Sequence, residues 1–257
     1  MRMSFKDLLR QEERPVGIFI NTGSPEMVEI AAQTGFQFII VDNEHGSWSG
    51  ERNGHLIRAA ETFGAVPMVR VPGASAENDI KFALDCGAAG VVVPGIQTPE
   101  DARTALRHAM FHPLGTRGAC PYVRANRYTG RSERYFEDSN RDVSVVMMIE
   151  GAEGVKNYEA ILDVEGVDTV FFGPYDLSVS LGIPGQTDSP RVAGSIQNMI
   201  RMAKERGVFA GMLGIGAEDS NRWFDCGVDY IVGVGDMALF YRSCDEMMRG
   251  IRNVTAK

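Results

Sequence analysis

Eight short apolar runs recur along the chain, and their spacing limits the fold more than any other feature. They are Val16–Ile20, Gln37–Asp42, Val66–Val71, Ala89–Pro94, Val145–Glu150, Asp168–Gly173, Val208–Leu213 and Asp229–Val234. Most are apolar throughout rather than alternating, as strands buried on both faces of a parallel sheet must be. Helix signals fall between them. Ser24-Pro25-Glu26 and Thr98-Pro99-Glu100 each place an N-cap hydroxyl before a proline and an acid. Asp85-Cys86-Gly87 and Asp225-Cys226-Gly227 each stop a helix on glycine just before the next strand. Eight β-then-α units in 257 residues match an α/β fold closed as one (β/α)8 TIM barrel. A doubly wound open sheet is the alternative. The barrel is preferred because chemically useful residues stand at several strand ends, where an open sheet would gather them at one switch point. No dinucleotide or P-loop glycine pattern follows the first strand, and Gly211-Met-Leu-Gly-Ile-Gly216 has neither spacing.

The whole chain, 1–257, reads as one domain without linker, low-complexity segment or repeat beyond the βα unit. A net charge of −8 disfavours non-specific nucleic-acid binding. The first residues, Met1 to Arg14, are charged and lack an apolar signal core, and no run approaches a membrane span. Cys86, Cys120, Cys226 and Cys244 are scattered, which suits reduced structural thiols in a cytoplasmic protein. One connection, Phe111 to Ser144, is long and rich in arginine and aromatic residues, and from about Ser132 it is compatible with an extra helix. It reads first as a solvated or interface segment, and second as a recognition element for an anionic substrate group or a neighbouring subunit.

Several strand ends carry residues that a core would not choose. Asp42 ends the second run on the face of Phe38 and Ile40, and His45 follows three residues on. An aspartate that orients a histidine ring raises its basicity, which suits a general base. A loop histidine without a task is the ordinary alternative, and His55, His108 and His112 keep that reading. Arg70 ends the third run pointing inward, so it must be paired. It is either a salt bridge to an acid such as Glu44 or Glu150, or a clamp for a substrate carboxylate or enolate. Glu150 and Asp176 end or follow adjacent runs. Two carboxylates, with waters and a chelating substrate, are what a hard octahedral cation takes. A glycosidase-type acid pair is the alternative, but leaves Asp42, His45 and Arg70 idle.

These residues carry a resemblance. Val41-Asp-Asn-Glu-His45, Val69-Arg-Val71, Gly90-Val-Val-Val-Pro94, Gly115-Thr-Arg-Gly118, Met148-Ile-Glu150 and Phe172-Gly-Pro-Tyr-Asp-Leu-Ser178 resemble, in order and spacing, the HpcH/HpaI family of class II pyruvate aldolases. That family includes 4-hydroxy-2-oxoheptanedioate and 2-dehydro-3-deoxyglucarate aldolases. The resemblance implies a divalent cation, Mg2+, Mn2+ or Co2+, held by Glu150 and Asp176 and chelated by pyruvate. It implies that Arg70 holds the pyruvyl oxygen, that His45 with a network of metal-bound water moves protons, and that Asp85 supports the histidine from a neighbouring subunit. The backbone N–H groups of Tyr175 and Asp176 match contacts to the pyruvate carboxylate. Met148 stands where the family often has a substrate-touching glutamine, and Tyr175 where a small residue is frequent. A hexamer with the last helix on a neighbouring barrel, and a place in aromatic or sugar acid catabolism, are further implications.

The expected activity is therefore reversible cleavage of a 4-hydroxy-2-oxo acid to pyruvate and an aldehyde. No lysine stands at these strand ends, which disfavours a Schiff-base route. Oxaloacetate decarboxylation and malyl- or citramalyl-CoA cleavage are related alternatives, and a non-catalytic metabolite-binding barrel is the alternative from another class.

Overall fold

The computed structural model describes residues 3–46, 48, 50–131 and 133–255. Its strands are β1 (Val16–Ile20), β2 (Phe38–Asp42), β3 (Val66–Arg70), β4 (Gly90–Val93), β5 (Ser144–Ile149), β6 (Thr169–Phe172), β7 (Phe209–Gly214) and β8 (Tyr230–Gly233). They pair in parallel in chain order, and β8 closes on β1. Each lies on its apolar run and differs only at the ends. The helix caps behave as their residues require. The Ser24 hydroxyl accepts the Met27 N–H, and Thr98 and Asp101 form a reciprocal capping box. Gly227 stops its helix in the left-handed region at φ 102°.

Strand alternation divides the apolar residues into two cores. Inward residues such as Phe38, Ile40, Met68, Val92 and Phe171 fill the barrel. Outward residues such as Ile39, Val41, Val69 and Val91 pack beneath the helices. The inner column of β2 therefore runs Phe38, Ile40, Asp42, and that of β3 runs Val66, Met68, Arg70. The site begins where these columns turn polar.

The amino-terminal end of the barrel is closed by a helix, Phe5–Gln11, that the charged opening of the chain concealed. Its Phe5, Leu8 and Leu9 share one face and join the inner core. Phe5 meets Phe38 and Tyr230 edge-on, with centroids 5.0 and 5.4 Å apart. The long connection contains a helix at Tyr135–Asp142, while Ser132, its expected beginning, lies outside the described residues. This connection crosses the amino-terminal ends of β3 and β4 and borders an open cavity of about 690 Å3 with Val66, Pro67 and Ala89. Several of its arginines are engaged by acids of the same chain: Arg117 with Asp85 at 2.6 Å, Arg124 with Glu61, and Arg141 with Asp138 and Asp142. Within one chain it therefore lies at the wrong end to meet a substrate at the strands' carboxyl ends.

The terminal helix, Asp236–Thr255, leaves much of its apolar surface uncovered. Phe240, Tyr241 and Met247 are each about two-thirds exposed or more, at 67%, 72% and 67%. All four cysteines are free thiols. Among the described residues, no helix is long and apolar enough to cross a membrane.

Candidate active site

Asp42 and Arg70 are partners in the β2–β3 register, so both inner columns reach their polar residue at the same level. Arg70 donates Nε to Asp42 Oδ1 at 2.8 Å and Nη2 to Oδ2 at 2.6 Å. This two-pronged arrangement is the strongest that a guanidinium and a carboxylate can make. Asp42 is fully buried, and it also accepts the backbone N–H groups of Glu44 and His45 at 3.1 and 3.3 Å. Asp42 thus does not orient the His45 ring, as the spacing suggested. Five donors converge on it, including Nδ2 of Asn21, and none is an imidazole. It fixes the arginine and the loop backbone that carries His45.

The His45 side chain stands at the rim, 65% exposed, with Nε2 3.8 Å from Glu44 Oε2. Glu44 also faces Arg70 Nη1 at 3.2 Å. Sequence reasoning placed Glu44 only as one possible partner of Arg70. Its position between the inward arginine and the histidine makes it a third acid of the mouth. Burial pushes its carboxyl up, against the pull of Arg70 and His45.

Glu150 follows β5 in the inward phase, directly after Met148 and Ile149. Its Oε1 accepts the Gly95 N–H at 2.8 Å. Its carboxyl is pushed up to about 7, first by burial and further by the Asp176 and Glu44 charges, with the Gly95 bond and Arg70 opposing. Gly173 makes room for it: a Cβ there would lie 2.8 Å from Glu150 Oε2 and 3.0 Å from the buried Met148 Cε. Asp176 is exposed in the first turn of the Pro174–Ser180 helix, beside Tyr175, which is 60% exposed. For Arg70, burial alone would lower the pKa, but Asp42, Glu44 and Glu150 together carry it above its ordinary value.

The mouth therefore gathers Asp42, Glu44, Glu150 and Asp176 around one arginine, an excess of negative charge. A divalent cation fits that imbalance. Among the described residues, no three or more His, Cys, Asp and Glu side chains group as metal ligands. Two carboxylates suit an oxygen-loving ion that keeps water and takes its remaining ligands from substrate. Asp85 is not brought to this mouth. It ends the helix returning to β4, at the amino-terminal end of the barrel, and it is held by buried Arg117.

Residues 15–235 match the HpcH/HpaI aldolase/citrate lyase family. A 2-keto-3-deoxy-L-rhamnonate aldolase of Klebsiella pneumoniae is 30% identical over 98% of this chain and 94% of its own. The crystal structure of an HpcH/HpaI aldolase from Desulfitobacterium hafniense superposes with a TM-score of 0.90 at 30% identity, covering 97% of each chain. That of the citrate synthase SbnG superposes with a TM-score of 0.88 at 31% identity, covering 99% of each. Fold and mouth thus define a carbon–carbon lyase of the aldolase type built on a TIM barrel. The chain belongs to the HpcH/HpaI aldolase/citrate lyase family.

Proposed function

We propose that this chain cleaves 4-hydroxy-2-oxo acids reversibly to pyruvate and an aldehyde, with a divalent cation at Glu150 and Asp176. The observation that carries the reading is the half-buried Glu150 carboxylate, which feels the Asp176 and Glu44 charges with Arg70 opposing them. Relatives named as aldolases of a 2-keto acid support the substrate class. When bound, Mg2+, Mn2+ or Co2+ supplies positive charge where the enolate oxygen develops.

The chain's own residues do the rest. Arg70 is locked by Asp42 and Glu44, and it retains N–H donors on its terminal nitrogens for the 2-oxo group. A guanidinium fixed in advance stabilises developing charge without reorganising. His45, at the rim, takes the proton from the 4-hydroxyl. The C3–C4 bond then breaks, the aldehyde leaves, and the electron pair remains on the pyruvate enolate until C3 is protonated. The Tyr175 and Asp176 N–H groups receive the carboxylate, and the Met148 thioether gives that pocket an apolar wall. The test is product release from a panel of free 4-hydroxy-2-oxo acids, oxaloacetate, and malyl- and citramalyl-CoA. The reading expects the free hydroxy-oxo acids to be fastest, and preference for a thioester or for oxaloacetate would overturn it. The likeness to a citrate synthase favours a second reading, in which the same enolate chemistry runs as carbon–carbon bond formation.

The protein acts as one domain in the cytoplasm and as a homo-oligomer, a hexamer by family, with the terminal helix on a neighbouring barrel. The exposed Phe240, Tyr241 and Met247 support this assembly. Asp85 then serves His45 across a subunit boundary. Mixing His45→Ala with Asp85→Ala chains should restore part of the activity, and mixed assemblies no better than either parent would rule the shared site out.

A further inference from the structure

Asn21 follows β1 in the inward phase set by Gly17 and Phe19. Its Nδ2 donates to Asp42 Oδ2, the same oxygen that takes Arg70 Nη2. Only the NH2 end of the amide can face this carboxylate, because its oxygen would be repelled. The other end of the amide fits over Gly235, where a Cβ would come within 2.2 Å of Asn21 Oδ1. The Asn21 backbone is fixed as well. Its N–H donates to Asp236 Oδ1 at 2.8 Å, and Thr22 gives its hydroxyl to Asp236 Oδ2 at 2.5 Å. Asp236 is 2% exposed and opens the terminal helix.

We propose that Asn21 is a positioning residue for substrate binding: it sets the Asp42 carboxylate that aims Arg70 at the 2-oxo acid. It touches no substrate and acts through Asp42 and Arg70. The inference rests on the reading of Arg70 as the substrate's partner, and it adds a residue and a direction of action to that reading. Asp42 is fully buried, so the protein's own donors set its orientation. Removing one of them lets the carboxylate turn, and the guanidinium follows it. Because the same loop hangs on Asp236, the mouth is also mechanically tied to the start of the terminal helix. A hydrogen bond to an ionised group is worth roughly a tenfold to hundredfold change in an equilibrium.

The experiment is a titration of pyruvate into the Mn2+-loaded protein, paired with steady-state kinetics. It compares the wild type, Asn21→Ala, Asn21→Asp, Arg70→Lys and the double variant Asn21→Ala/Arg70→Lys. Asn21→Ala should weaken pyruvate binding and raise KM by roughly tenfold or more, with kcat falling less. Asn21→Asp should weaken both further, since it sets a second carboxylate against Asp42, and its near-identical shape preserves the comparison if the alanine variant folds poorly. Mn2+ affinity of Asn21→Ala should change far less than its pyruvate affinity, because Asn21 bonds to neither Glu150 nor Asp176. The double variant should be no worse than Arg70→Lys alone, the signature of action through one arginine. Unchanged pyruvate affinity in both Asn21 variants, or additive losses in the double variant, would overturn the inference alone. A wild type that binds Mn2+ but not pyruvate would overturn the reading of Arg70, and the inference with it.

Discussion

The two ends of the barrel are built from the same inner columns and could hardly differ more. At the amino end, Phe5, Phe38 and Tyr230 close the column with aromatic edges. Two inward positions further along β2 and β3, Asp42 and Arg70 replace them with a buried ion pair. The lower end lowers the free energy of the fold by burying area. The upper end gathers four carboxylates against one guanidinium and holds Glu150 largely out of water. Stability and chemistry are thus separated by about the length of a strand, and substitutions at the two ends should report on different quantities.

The largest effect should come from the mouth. His45→Ala should lower turnover by roughly 10²- to 10⁴-fold, the usual span for a lost general base. The ring is 65% exposed, so the thermal midpoint should hardly move. Steady-state kinetics beside a melting curve checks both, and an unchanged rate would remove His45 from the reaction. Phe5→Ala is the counterpart at the closed end. It should cost about 3–5 kcal/mol of stability, as aromatic-to-alanine changes in a core do. Turnover per folded molecule should stay the same, as denaturant titration and active-site counting would show.

This contrast also explains what the sequence made legible. The eight strands and their caps were readable because apolar runs, prolines and glycines act locally. Asp42 and Arg70 were readable as an inward acid and cation at strand ends, and Glu150 and Asp176 as acids at or just past the ends of adjacent strands. The closing helix was missed because Phe5, Leu8 and Leu9 are scattered among Lys6, Asp7 and Arg10, so the charges hid an i, i+3, i+4 face. Asp42 was matched to His45, its neighbour in sequence, when its partner is Arg70, its neighbour across the sheet. Pairing across strands depends on register, which no single run reveals. Asn21 and Glu44 did carry a signal: each is a polar residue just beyond an apolar strand. Only the shared mouth shows what they serve.

A smaller effect sharpens the comparison through pH. Burial raises the Glu150 carboxyl in the folded state, to about 7 from its ordinary 4.5. The folded protein therefore binds this proton more tightly than the unfolded chain. Its presence favours folding at low pH, and that advantage is lost as pH rises from about 4.5 through 7. Glu150→Gln removes the buried charge, so it should stabilise the cation-free protein at pH 8 by about 2–3 kcal/mol and hardly at pH 5. Melting curves at the two pH values decide it, and a variant less stable than wild type at pH 8 would contradict the charge imbalance. Added Mn2+ should stabilise the wild type and leave Glu150→Gln nearly unmoved.

The most direct measurement follows pyruvate release from a 4-hydroxy-2-oxo acid before and after chelation. With excess EDTA the rate should fall to the background of the uncatalysed acid, and Mg2+ or Mn2+ added beyond the chelator should restore it. Undiminished release in excess EDTA would contradict the account, because the carboxylates at the mouth would then have no cation to hold.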